Sequence, residues 1–318
     1  MINVKYYEQR SAYDADKSKL ILPNLSLCKD TGEVFYNPKP HDYSHDYLTF
    51  VAEEDGTFKF GAYSSDGMYY SIDDGITWNN LPNGETTPII SAGTKIIWKG
   101  RSYPSYEAGS GHFSSTGRFT VQGNPMSIIN GDNFIGKTYL GNGGFSYLFN
   151  GASGLTQAHN LILPTMNLPK IYCYVSMFYG CTSLTTAPEL PATTLADECY
   201  LSMFKGCTSL TNAPALPATI LYERCYESMF EGCTSLTTAP ELPATTLAED
   251  CYKYMFQGCR NLNSITCLAT DKSASGCTNQ WVNNVSATGT FYKNPNMTSW
   301  GTGISNIPYG WTVEDYQQ

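Results

Sequence analysis

With 318 residues the chain has room for two or three domains. Charged residues are only 15% and the formal net charge is −9, with no cluster of Lys and Arg to neutralise phosphates, which argues against nucleic acid as a partner. No apolar run approaches the ~20 residues that span a bilayer. The opening Met1–Arg10 segment is charged and lacks the apolar stretch of a secretory signal. The expectation is a mature form, or a protein made and assembled in the cytoplasm.

Residues 1–46 carry isolated aromatics (Tyr6, Tyr7, Tyr13, Phe35, Tyr36) among charges and prolines, without a core pattern. This composition suits an extended arm that orders on a partner. The stretch DKSKLILPNLSLCKDTGEVFYNP, Asp16 to Pro38, resembles the leader of virion proteins of crAss-like and other Bacteroides phages. The resemblance implies an attachment element docking on other virion proteins.

From 47 to 137 the pattern changes to period two. Candidate strands are Tyr47–Ala52, Thr57–Ala62, Met68–Ile72, Ile76–Asn80, Lys95–Lys99 and Arg118–Gln122, and their spacing suggests a β-sandwich. Within it Ser71, Asp73, Gly75 and Trp78 form an S-x-D-x-G-x-T-W run. This resembles the Asp-box of sialidases and many other β-proteins, which implies a structural turn. Asp73 can bond turn amides, Gly75 supplies positive φ, and Trp78 packs over the turn.

The segment 138–268 is dominated by a 26-residue repeat. MFYGCTSLTTAPELPATTLADECYLS begins at Met177, MFKGCTSLTNAPALPATILYERCYES at Met203 and MFEGCTSLTTAPELPATTLAEDCYKY at Met229. A truncated copy opens at Met255 and a degenerate one at Leu148. Units that repeat at such a period bury their apolar sides by stacking on one another. Leu195, Ala196, Cys199, Tyr200, Met203 and Phe204 are spaced i, i+1, i+4, i+5, i+8, i+9, which predicts a helix from about Leu195 to Lys205. Thr194 with Asp197, and Thr246 with Glu249, have the form of a capping box, and Gly180, Gly206, Gly232 and Gly258 sit where the helix should stop. Pro188, Pro214 and Pro240 leave room for only a short strand. The recurring Met-Phe-x-Gly-Cys-x-x-Leu resembles the BspA-like leucine-rich repeats, which implies a curved α/β solenoid often displayed on a bacterial surface, with no catalytic residues.

Residues 269–318 lose the repeat and fit a small β cap. Short strands are expected at Thr290–Tyr292 and Gly310–Val313, with Trp281 and Trp300 covering the open apolar end or forming a sugar-stacking platform. Eight of the eleven cysteines fall in two columns of period 26, Cys173/199/225/251 and Cys181/207/233/259. Buried small hydrophobes explain these better than a metal site, which needs close pairs. Cys267 and Cys277 are the pair best placed for a disulfide.

The expected architecture is therefore multidomain α+β: extended arm, β-sandwich, α/β leucine-rich-repeat solenoid and β cap. No nucleophile, phosphate or metal signature is present in the sequence, and no cofactor is called for. The candidate partner-binding row is Thr185, Glu189, Thr211, Asn212, Thr237 and Glu241, nearly uniform from unit to unit. Such a row fits a repetitive ligand such as a host-surface polysaccharide, a protein on that surface, or a plain spacer. The resulting expectation is a non-enzymatic virion fibre or appendage subunit, homo-oligomeric and with trimers common among such subunits. The alternatives are a bacterial surface or secreted adhesin and, third, a carbohydrate-active enzyme or its binding module.

Overall fold

The computed structural model describes residues 3–7, 24–28, 34–37, 42–61, 68–100, 111–164, 171–298 and 300–317. It divides into two compact units, Met1–Asp42 and Tyr43–Gln318.

In the first unit β1 (Asn3–Tyr7), β2 (Asn24–Cys28) and β3 (Val34–Asn37) make one sheet, with β1 parallel and β3 antiparallel to β2. The expected extended arm is thus corrected to three paired strands. Each is only four or five residues of mostly β-favouring types, and the charges and prolines between them hid the pattern. Tyr6 and Tyr7 fall on β1, Phe35 and Tyr36 on β3. Tyr13 lies outside the described residues.

The second unit opens with β4 (Leu48–Ala52), β5 (Phe58–Gly61), β6 (Met68–Ser71), β7 (Asn79–Leu81), β8 (Lys95–Lys99), β9 (His112–Ser115), β10 (Phe119–Gly123) and β11 (Leu155–Leu161). The expected β-sandwich is instead a six-stranded sheet, ordered β11-β10-β4-β8-β6-β7, and a separate two-stranded sheet, β5-β9. All neighbours in the larger sheet are antiparallel except β10 and β11. Phe50 on β4 joins the two sheets. Its ring centroid lies 4.8–5.5 Å from those of Phe58, Trp98, Phe113 and Phe119, a buried aromatic cluster.

The α/β leucine-rich-repeat solenoid expected over 138–268 is overturned, because the helix it requires in each repeat does not form. Among the described residues, α-helix is confined to a single turn, Ser127–Asn130. Residues 197–206 run as consecutive turns, and every fourth residue adopts left-handed φ: Glu198 at +55°, Ser202 at +55° and Gly206 at +78°. The same triad recurs at Tyr172/Ser176/Gly180, Arg224/Ser228/Gly232, Asp250/Tyr254/Gly258 and Gly276/Gln280/Asn284. Amides alternate in their partners. Those of Tyr200, Ser202, Phe204 and Gly206 donate to the carbonyls of Cys225, Glu227, Met229 and Glu231 one unit on, at 2.8–3.1 Å. Those of Leu201, Met203 and Lys205 donate three residues back, at 3.1–3.3 Å. An α-helix would keep every such bond within the segment. Here half the bonds join neighbouring coils, and that satisfaction of the backbone offsets about 1–2 kcal/mol of strain at each non-glycine left-handed residue. The capping role assigned to Asp197 is corrected too, because its carboxylate accepts the amide of Glu223 in the next unit at 3.2 Å.

Stacking places like on like. Phe149, Phe178, Phe204, Phe230 and Phe256 lie 5.4–5.8 Å apart with nearly parallel rings, and Tyr174, Tyr200, Tyr226 and Tyr252 lie 5.6–6.2 Å apart. All are buried. At one end Phe149 meets Phe113 of β9, and at the other Trp281 closes on Tyr252 and Phe256. The aromatic core of the sheets therefore runs on into the repeats.

A second line of contacts runs beside the turns. Single parallel bridges join Gln157 to Thr186, Thr186 to Asn212, and Thr238 to Ser264. Where Thr-Ala-Pro-Glu gives way to Ser-Ile-Thr-Cys the bridge widens into β12 (Ser264–Cys267), which pairs in parallel with β13 (Thr290–Lys293), itself parallel to β14 (Thr312–Asp315).

Candidate functional site

The six residues expected to form a binding row are all exposed, and their surroundings differ from unit to unit. Thr185 donates its hydroxyl to the Thr156 carbonyl at 3.0 Å, and Glu241 accepts the Tyr316 hydroxyl at 2.8 Å. Glu189 and Asn212 instead meet at a groove of about 490 Å³ between the first and second full units. Its floor comes from the turns around Pro188, Leu190 and Pro214, and exposed His159, within β11, completes its rim. Thr186 also lines it, with a side-chain oxygen that is buried and has no hydrogen-bond partner. His159 was not singled out by the sequence. The usable signal was in the middle unit, which carries Asn212 and Ala215 where both flanking units carry Thr and Glu.

The tryptophans do not form a platform. Trp281 is fully buried, its indole N–H donating to the Asn306 carbonyl at 2.8 Å, and Trp300 packs edge-on against it at 5.6 Å. Trp281 occupies the Met position of one further coil, which lies 26 residues beyond Met255. Its role is to end the ladder.

Ser71, Asp73, Gly75 and Trp78 meet in one turn. The Ser71 hydroxyl donates to Asp73 at 2.6 Å, and the Thr77 amide and hydroxyl donate to the same carboxylate at 2.9 and 2.7 Å. Gly75 has φ of +87°, and the Lys99 ammonium lies 4.0 Å from the Trp78 ring centroid. The Ser71 hydrogen bond, then those from Thr77, hold the Asp73 carboxyl down to about 2. Its contribution to stability is therefore complete above the unfolded value of roughly 4 and is lost as pH falls from there toward 2. Urea midpoints of the wild type and Asp73→Asn should differ at pH 6 and converge near pH 2. A difference that persists unchanged at pH 2 would contradict this account.

The cysteines are core residues. Cys181, Cys207, Cys233 and Cys259 are buried and donate to the carbonyls of Phe149, Phe178, Phe204 and Phe230 at 2.9–3.1 Å. The proposed Cys267–Cys277 disulfide is corrected: both thiols are free, and Cys277 takes its place in the first column, 26 residues beyond Cys251. Burial pushes the thiols of Cys199, Cys259 and Cys267 up to about 12. Iodoacetamide at pH 8 should therefore leave the column thiols unmodified in the native chain and alkylate them in urea, as read by intact mass. Rapid native labelling of Cys199 or Cys207 would contradict the packing.

No family model, curated protein or solved structure matches this chain.

Proposed function

We propose that the chain is a non-enzymatic virion structural protein, a fibre or appendage subunit that docks by its N-terminal segment and presents its repeats to the host surface. The observation that carries this reading is the continuous ladder from Phe149 to Trp281. It fills the interior with stacked side chains and leaves the outer rows as the part free to meet a partner. The leader similarity between Asp16 and Pro38 supports particle attachment. A homo-oligomer, with the trimer as its first form to test, fits such a subunit. The test is mass spectrometry of purified particles, with the N-terminus of the chain tagged in virions. The chain should be recovered from particles with its N-terminal segment protected from protease. Absence from particles, or an N-terminus cleaved as fast as in the free protein, would defeat the proposal. The similarity of Met-Phe-x-Gly-Cys-x-x-Leu to BspA-like repeats favours one second reading, a bacterial surface or secreted adhesin, and recovery from the cell envelope of uninfected bacteria would select it.

A further inference from the structure

We infer that the groove between the first two full repeat units is a saccharide-binding site, taking a neutral hexopyranose or pentopyranose segment of a polysaccharide. This rests on reading the repeats as the host-facing part of the chain, and it names the site and the ligand class.

The first observation is local asymmetry. The units starting at Met177 and Met229 are nearly the same peptide, and both carry Glu in the Pro-Glu-Leu-Pro turn, as Glu189 and Glu241. The unit between them has Ala215 there and Asn212 in place of Thr. Both departures line the groove. A Glu at 215 would set a second carboxylate beside that of Glu189, one coil away. Alanine leaves the space open and free of that like-charge pair.

The second observation is chemical. The floor offers proline and leucine C–H surface to the apolar face of a sugar ring. The rim offers an imidazole, a carboxylate and a carboxamide, which together donate to and accept from ring hydroxyls. The buried Thr186 oxygen without a partner adds a polar group that a ligand hydroxyl can satisfy. The volume of about 490 Å³ falls within the range of small-molecule sites.

The third observation disfavours a peptide strand. Thr186 is bridged on one side to Gln157 and on the other to Asn212, so this row has no free edge for an added strand at that point.

The experiment is isothermal titration of the full chain with maltohexaose, cellohexaose, mannohexaose and xylohexaose, for wild type, Ala215→Glu, Glu189→Ala and Tyr179→Ala. At least one sugar should bind saturably. Ala215→Glu and Glu189→Ala should weaken it by on the order of tenfold, while Tyr179→Ala, exposed and outside the groove, leaves it unchanged. Circular dichroism of each variant confirms folding. Absence of binding across the panel overturns the inference, as does undiminished affinity in folded Ala215→Glu. Competition for the groove by a proline-rich peptide, in the absence of sugar binding, would overturn it as well. These failures are separable from that of the virion reading, which is decided by whether the chain is found in particles.

Discussion

Phe204→Ala is expected to destabilise the second unit by about 3–5 kcal/mol, the range for removing a fully buried aromatic side chain. Phe204 is completely buried, with Phe178 5.4 Å and Phe230 5.7 Å away, so truncation opens a gap with rings on both sides. The neighbours cannot close over it, because their backbones are pinned to one another by hydrogen bonds every second residue. The loss should be shared by both adjoining interfaces, since a stacked repeat is stable only with its neighbours. Urea denaturation followed by circular dichroism measures it. Tyr179→Ala, on the exposed row beside the glycines, serves as the comparison and should stay within about 0.5 kcal/mol of wild type. Equal midpoints for Phe204→Ala and Tyr179→Ala would refute the ladder as the source of stability.

The second large effect is expected at the left-handed columns, and its sign separates a ladder of turns from a helix. Gly206 has φ of +78°, and a Cβ there would lie 3.7 Å from Gly180, an ordinary contact. Space is available, so the penalty of Gly206→Val comes from the backbone, at roughly 2 kcal/mol or more for a β-branched residue. Ser202, four residues earlier, has φ of +55°. Ser202→Gly relieves that strain and should stabilise the chain by roughly 0.5–1 kcal/mol after the entropy cost of glycine. In a helix the same change would destabilise by about 0.5 kcal/mol. A lower midpoint for Ser202→Gly would restore the helical description.

Much of the interior was legible in the sequence. Of the six residues expected inward, Leu195, Cys199, Tyr200, Met203 and Phe204 are buried and Ala196 is half-buried, and the repeating glycine has the positive φ expected of it. The backbone path was not legible, because two-in, two-out spacing satisfies a helix or a ladder of turns over a short stretch. What distinguishes them is persistence. On a helix of 3.6 residues per turn a four-residue period drifts by about 40° per repeat. From Leu195 through Cys199 to Met203, within the predicted helix, it would therefore swing about 80° across the buried stripe, yet all three are equally buried. β9 and β11 were missed because His112–Ser115 is short and polar and Leu155–Leu161 does not alternate cleanly. The groove was hidden for a different reason. Its rim residues lie in separate units, and only the stacking register brings His159, Glu189 and Asn212 together.

Near-identical neighbours carry a hazard, since a folding chain could skip a coil and seat the first full unit directly on the third. The charges on the outer turns oppose this error. Glu198, Arg224 and Asp250 occupy equivalent positions in successive units, and the Arg224 guanidinium lies 2.9 Å from Glu198 while also holding Glu227 at 2.6 Å. Omitting the middle unit would remove the cation and press two carboxylates together on the same line. The order of otherwise interchangeable parts is thereby written in alternating sign.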